Sequence, residues 1–323
     1  MRVLVTGGAG FIGSHLVERL LEEGYEVTIL DDLSGGQLGN LDRVRDHPCL
    51  RVIIGDVRDM TALWTALDGI EAVFHLAAVV GVPRVLADPI RTIQVNVEGT
   101  KRVLEACAAR GISVCIASSS EVYGKGVRWP VVEEDDLRLG PPTSLRWAYA
   151  ASKLLDECLA MAWARQGMRI SVVRYFNVYG PRADPHGYGY VIARFMDQAA
   201  RGEPLTVYGD GHQTRSFIYV ADAVEGTLRA GLWPVAYGHI FNIGCPYEIS
   251  ILDLAEKIRS VTGCRIPIRF LPISEVYGSD FEEISRRVPE TSKARALLGF
   301  EARVTLDEGL QRTWEWWQKC RHG

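Results

Sequence analysis

The feature that most limits the folds open to this chain is an alternation of short apolar, β-branched runs with helix-period segments, starting at its second residue. Residues 2 to 6 (RVLVT) read as a buried strand, 12 to 22 as a helix and 25 to 30 (YEVTIL) as a second strand. The pattern continues with RVIIG at 51–55, a short helix after Asp59, AVFHLAA at 72–78 and a long helix from Pro89 to Arg110. ISVCIAS, a helix from Ala148 to Gln166 and RISVVRYF at 169–176 complete it. Strands joined through helices lie parallel, because only a crossover brings the next strand alongside in the same direction. The expected class is therefore α/β, a doubly wound parallel sheet covered by helices on both faces.

Beyond Gly180 the pattern changes to PRADPHGYGY, a short helix and LTVYGDG, then a helix capped by Ser250, Pro-interrupted strands and a last helix opened by Thr305 and Glu308. This predicts a first domain over residues 1–176 and a second, smaller α/β domain over most of 177–323. Residues 216–245 are expected to return to the first sheet. Gly187, Gly189, Gly209 and Gly211 mark expected substrate-side loops, and Trp314, Trp316 and Trp317 are expected to pack the last helix onto its domain.

Charge then narrows the function. With 36 Lys plus Arg against 40 Asp plus Glu, a net charge of −4 offers no field for a nucleic acid backbone. The most apolar stretch, Glu71 to Ala87, is broken by His75, Gly81, Pro83 and Arg84, so it predicts no membrane span. The start lacks the apolar run of an export signal, which makes a cytoplasmic setting the expectation. Seven cysteines without a C-x-x-C pair, and scattered histidines, predict neither disulfide framework nor metal site. Cys158 is expected in the apolar core, and His75 as a structural histidine.

The first strand runs into Gly7-Gly8-Ala9-Gly10-Phe11-Ile12-Gly13 and a helix, the setting a dinucleotide fingerprint requires. Gly7 and Gly10 would admit a pyrophosphate close to the backbone, Gly13 would let helix and strand pack, and helix amides would face the phosphates. Asp31 and Asp32, ending the second strand, are placed for the adenosine ribose hydroxyls; an acid there repels a 2′-phosphate, so NAD is expected over NADP. Asp56, after the third strand, either meets the adenine or caps a turn.

At the other end of the sheet, Tyr149 and Lys153 stand one helical turn apart on one face. A neighbouring ammonium favours phenolate, which would let Tyr149 take a proton from a sugar hydroxyl. Ser118, Ser119, Ser120 and Glu121 follow a strand, at the carboxyl edge where open α/β sheets bind ligands.

TGGAGFIG, HLAA at 75–78, NVEGT at 96–100, SSSEVYG at 118–124, YAASK at 149–153, RYFNVYGPR at 174–182 and GDGHQTRSFIYVAD at 209–222 occur in family order. With these motifs the chain resembles the extended short-chain dehydrogenase/reductases, the NAD-dependent nucleotide-sugar epimerases, dehydratases and decarboxylases. The resemblance implies a Rossmann domain binding NAD through the glycine loop with Phe11 and Ile12, through Asp56 and Val57, Leu76, Ala77 and Ala78, Asn96, Tyr149 and Lys153. It implies Ser119 on the sugar 4-oxygen, Tyr149 as base, Lys153 on the nicotinamide ribose, and Asn177 and Arg215 on the nucleotide diphosphate. Asn96 belongs to a motif that is often structural in this family. Helices near 90–110 and 149–167 would pair two copies into a homodimer.

Glu121 separates the branches. Simple 4-epimerases of the family usually carry a small or hydroxyl side chain there, while Ser120 stands where 4,6-dehydratases of the dTDP-glucose type have an acid. The runs Arg146 to Asp156 and Tyr277 to Pro289 are similar to UDP-glucuronate decarboxylases, which implies Arg287 and Tyr277 at the substrate. The expected reaction is oxidative decarboxylation of UDP-glucuronate, with Arg287 on the C6 carboxylate and Glu121 and Ser120 orienting the sugar or relaying a proton. A UDP-sugar 4-epimerase is the alternative, a 4,6- or 5,6-dehydratase the third, and a catalytically silent NAD-binding scaffold the reading from outside enzymology. On electrostatics alone Arg286 and Arg287 also suit a diphosphate clamp.

Overall fold

The computed structural model describes residues 1–185, 190–278 and 281–322, without the side chains of the last three, so Gly187 and Gly189 lie outside the described residues. Six apolar runs form parallel strands: β1 (Arg2–Thr6), β2 (Glu26–Asp31), β3 (Leu50–Ile54), β4 (Ala72–His75), β5 (Ser113–Ser119) and β6 (Ile170–Tyr175). With the strand Ile240–Ile243 they make one seven-stranded sheet in the order Ile240–Ile243, β6, β5, β4, β1, β2, β3. The last strand enters beside β6 in parallel, Ile240 facing Val172.

Continuous apolar strands follow from burial on both faces. Val3 and Val5 join one core with Leu16, Phe74 and Leu228, while Leu4 on the opposite face joins a second with Leu30, Val73 and Ile116. Each such side chain, taken from water, contributes roughly 1.5–3 kcal/mol. The order reverses between β1 and β4, and the ligand crevice of an open sheet lies at that switch point, beyond the carboxyl ends of the strands.

The long helix of the sequence reading is three segments, Pro89–Ile93, a π turn over Gln94–Glu98, and Gly99–Ala108. Asn96 lies in that wider turn, fully buried. Its side chain accepts from the Val79 amide at 2.8 Å and donates to the Val79 carbonyl at 3.2 Å and to Ser152 Oγ at 3.0 Å. Its polar groups are thus spent on protein, and Asn96 braces a cavity wall rather than lining it.

The helix Trp147–Arg165 buries a mostly polar stripe, Ser152, Lys153, Asp156 and Glu157, spaced to face the sheet. Arg174 on β6 grips Glu157 at 2.9 and 2.7 Å, and Ser118 donates to the same carboxylate at 2.5 Å. This network fixes the end of β5 from behind. Cys158 departs from expectation: it is exposed, because only the residues pointing at the sheet are covered and Cys158 follows that stripe on the outer side.

The outer lobe carries two small sheets. Leu205–Tyr208 pairs with Ile268–Leu271, and Thr214–Ser216 pairs with Glu248–Ser250 and, in parallel, with Arg286–Arg287. Arg287 lies in register with Arg215, so two guanidiniums distant in sequence arrive together. Ser250 caps its helix by accepting from the Asp253 amide, Thr305 accepts from the Glu308 amide, and Trp314 is buried in the core.

Candidate active site

A cavity of about 410 Å³ runs along the carboxyl edge of the sheet and under the outer lobe. It is lined by the catalytic, cofactor and substrate candidates of the sequence reading except Asn96; Arg286, offered with Arg287 as a diphosphate clamp, instead pairs with Glu248 at 2.6 Å outside it, and Gly209 and Gly211 do not line it. At one end Gly7, with φ +72°, turns the chain out of β1. A Cβ on Gly13 would lie 2.1 Å from the Gly7 carbonyl oxygen, so the loop closes on α1 (Phe11–Glu22) only without a side chain there. Asp31 accepts from the Ala9 amide at 2.9 Å and the Leu33 amide at 2.8 Å, tying the loop to the end of β2 while leaving acceptor capacity toward the cavity. Asp32 accepts from Ser34, and Asp56 holds Arg58 at 2.6 Å in a turn, so Asp56 both turns the chain and faces the cavity.

These residues fit NAD. The cradle that a Cβ would fill, amides at a helix start and two acids at the ribose position are the features a dinucleotide needs. Gly13→Ala is expected to cost roughly 1–3 kcal/mol by overpacking against backbone that cannot yield. The melting temperature of the purified protein checks this; an unchanged value would contradict it.

His75, beneath the cavity, is fully buried between Thr6 at 2.8 Å and Thr100 at 3.1 Å. Burial pushes it down to about 3, so it remains a neutral structural imidazole. Tyr149 and Lys153 both reach the cavity. The expectation that Lys153 draws the phenol down is not met: burial holds Tyr149 above its ordinary value, with the Ser119 hydroxyl acting against it. Burial is the largest cause, and the neighbouring Tyr190, Glu121 and Asp156 add to it; Asp156, fully buried, lies 3.1 Å from Lys153.

The same cavity holds a charge cluster. Glu121 accepts from Arg287 at 2.6 Å and from Arg146 at 3.3 Å. Burial alone would raise its carboxyl, but the two guanidiniums override that and hold it at about 2. Arg215 pairs with Glu283, leaving three guanidiniums against two carboxylates at this wall. The positive excess suits an anionic ligand. Asn177, with φ +38°, donates to the Ser216 carbonyl at 2.7 Å, which joins the sheet edge to the outer lobe. Ser120 and Tyr277 complete the wall.

Arg146 and Arg194 also line the cavity. The signal for Arg146 was its position three residues before Tyr149, which puts both on one helix face; Arg194 stood on a helix with no motif to single it out. Among the described residues no group of three or more His, Cys, Asp and Glu is set to hold a metal ion, and no helix is long and apolar enough to cross a membrane.

Fold and site together define a doubly wound, dinucleotide-dependent enzyme whose cavity holds Tyr149 and Lys153 with a cluster of guanidiniums. Residues 3–244 match the model of the NAD dependent epimerase/dehydratase family. The chain belongs to that family, and its cofactor is NAD. It is 40% identical over 321 residues to a UDP-N-acetyl-alpha-D-glucosaminuronate decarboxylase of Bacillus cytotoxicus, covering 99% of each chain. It is 36% identical to UDP-glucuronic acid decarboxylase 1 of Danio rerio, covering 98% of this chain and 73% of that protein. Among solved structures it resembles UDP-glucuronic acid 4-epimerase from Bacillus cereus in complex with UDP-glucuronic acid and NAD, with TM-score 0.87 and 31% identity over 99% of this chain and 100% of that one.

Proposed function

We propose that the chain decarboxylates a UDP-linked uronic acid, UDP-glucuronate first, through a 4-keto sugar. The observation that carries this reading is the Glu121, Arg287 and Arg146 cluster in the same cavity as Tyr149. Bound NAD supplies the oxidising capacity that turns the C4 hydroxyl into a ketone. Tyr149 takes the hydroxyl proton, with Ser119 holding the sugar 4-oxygen. The product is a β-keto acid, whose C6 carboxylate departs as carbon dioxide, leaving its electron pair on an enolate that the 4-oxygen carries. Ser119 stabilises the charge that develops there. Arg287 places the carboxylate, and Glu121 with Ser120 orients the ring for reprotonation at C5.

The relatives support a uronate substrate, and they divide between a hydroxyl and an acetamido group at C2. Incubation with UDP-glucuronate, UDP-N-acetylglucosaminuronate and UDP-glucose, with products weighed by mass spectrometry, tests the reading. A product lighter by carbon dioxide where the hydride returns to C4, or by carbon dioxide and two hydrogens where it stays with the cofactor, is expected from at least one uronate, and none from UDP-glucose. An isomer of unchanged mass would make the chain a 4-epimerase, and loss of water a dehydratase. The assembly is read as a homodimer, supported by Ile90, Ile93, Leu155 and Cys158 exposed on the two helical segments that would pair.

A further inference from the structure

Three carboxylates bear on the Tyr149 and Lys153 pair. Glu121, just after β5, is held by Arg287 and Arg146, and Glu157, on the helix Trp147–Arg165, is held by Arg174. Asp156 is different: its partner is the Lys153 ammonium itself, whose Nζ donates to Oδ2 at 3.1 Å. Both side chains are out of water, Lys153 3% exposed and Asp156 0%. Lys153 reaches the cavity and Asp156 does not, so a ligand there meets the lysine but not the carboxylate. An exposed pair at this helical spacing would be screened by salt and solvent, whereas a buried one is screened much less.

A second line of donors runs toward the same carboxylate. The Ala77 amide donates to Thr6 Oγ1 at 3.3 Å, Thr6 Oγ1 lies 2.8 Å from His75 Nδ1, and His75 Nε2 lies 3.1 Å from Thr100 Oγ1. One tautomer pairs every proton along this line: the Thr6 hydroxyl donates to Nδ1, Nε2–H donates to Thr100, and the Thr100 hydroxyl is left to donate onward. Burial raises the Asp156 carboxyl, and Lys153 and then the Thr100 hydroxyl act against that. Asp156 thus joins Lys153, through Thr100 and His75, to the carboxyl ends of β4 and β1.

We propose that Asp156 is a positioning residue of the proton-transfer step: it fixes where the Lys153 ammonium sits and sets the pH at which Tyr149 begins to work as base. The inference rests on the reading of Tyr149 as base, not on which reaction follows oxidation at C4. Its sign follows from charge. Burial holds the Tyr149 phenol up, Tyr190 and Glu121 add to that, and so does Asp156, whose negative charge opposes phenolate and offsets the neighbouring ammonium. His75, which also faces Lys153, stays neutral through burial and adds no charge. Removing the Asp156 charge leaves the ammonium uncompensated, so the pair gives up its proton at lower pH.

The test is the pH dependence of the initial rate of the NAD-loaded protein on whichever uronate, UDP-glucuronate or UDP-N-acetylglucosaminuronate, it turns over faster. Asp156→Asn keeps the shape and removes the charge; the pH of half-maximal rate is expected to fall by about one unit or more, with KM for the sugar nucleotide unchanged. Asp156→Glu keeps the charge and should return the midpoint toward that of the wild type. A residue that only stabilised the helix would lower the rate by the same factor at every pH, and that result, or an unmoved midpoint, would overturn the proposal. Should the Asn variant not fold, Lys153→Met with and without Asp156→Asn gives the answer, because removing both members of a buried pair strands no charge. Asp156→Asn is expected to cause no further loss of rate in that background, since it acts through Lys153; a further loss as large as the one Lys153→Met causes would overturn the assignment. Full activity of Tyr149→Phe would remove the base reading and this inference with it, whereas an inactive Tyr149→Phe beside an unmoved Asp156→Asn midpoint would remove only the role given to Asp156.

Discussion

Replacing Tyr149 by Phe is expected to lower turnover on the order of 10²–10⁴-fold, the contribution of a positioned general base, while the protein stays folded and keeps its NAD. The ring's packing is unchanged, and what disappears is the phenol proposed to take the C4 hydroxyl proton beside Ser119. The rate should rise with pH in the wild type, because burial holds the phenol above its ordinary value and the ionised form grows as pH climbs. In the variant that rise should flatten. Initial rates across pH, with retained cofactor measured after denaturation, check both parts; a Phe variant within tenfold of wild type would exclude Tyr149 as the base.

The second large effect is expected at Arg287. Its guanidinium is buried and bonded to Glu121 at 2.6 Å, so Arg287→Ala leaves the carboxylate to Arg146 alone and raises the Glu121 pKa from its value of about 2. Breaking one side of a buried pair costs roughly 3–5 kcal/mol of stability, and the site also loses the donor assigned to the C6 carboxylate. Carbon dioxide release should fall about 10²-fold or more, the equivalent of nearly 3 kcal/mol in barrier. Arg287→Lys separates the two consequences: it keeps the charge, and so most of the stability, but loses the planar fork that matches a carboxylate. A Lys variant as stable as wild type yet slow in decarboxylation is expected. Unchanged carbon dioxide release from the Ala variant would remove Arg287 from the reaction.

The glycine loop, the succession of strands and helices through β6 and the Tyr149–Lys153 pair were legible because each is written in consecutive residues with a local physical reason. Strand periodicity, a left-handed Gly7 and one helical turn of spacing do not depend on the rest of the chain. What depends on distant pairing was hidden. The partnership of Arg287 with Glu121 spans 166 positions and exists because Arg286–Arg287 lies in register beside Thr214–Arg215. Asp156 could not be recognised as the counter-ion of Lys153 without knowing that its helix buries a polar stripe, and for the same reason Cys158 reads as core and proves exposed. Asn96 carries the family motif, yet its amide is consumed by Val79 and Ser152 in a π turn that hydropathy does not reveal.

The central claim is that loss of the carboxyl group depends on proton removal by Tyr149 in the same cavity. It is tested most directly with UDP-glucuronate labelled with carbon-13 at C6, given to the NAD-loaded wild type and to Tyr149→Phe. The account predicts one labelled carbon dioxide for each substrate consumed by the wild type, and release near the blank from the variant. Label retained in an isomer of unchanged mass, or labelled carbon dioxide released equally by both proteins, would contradict it.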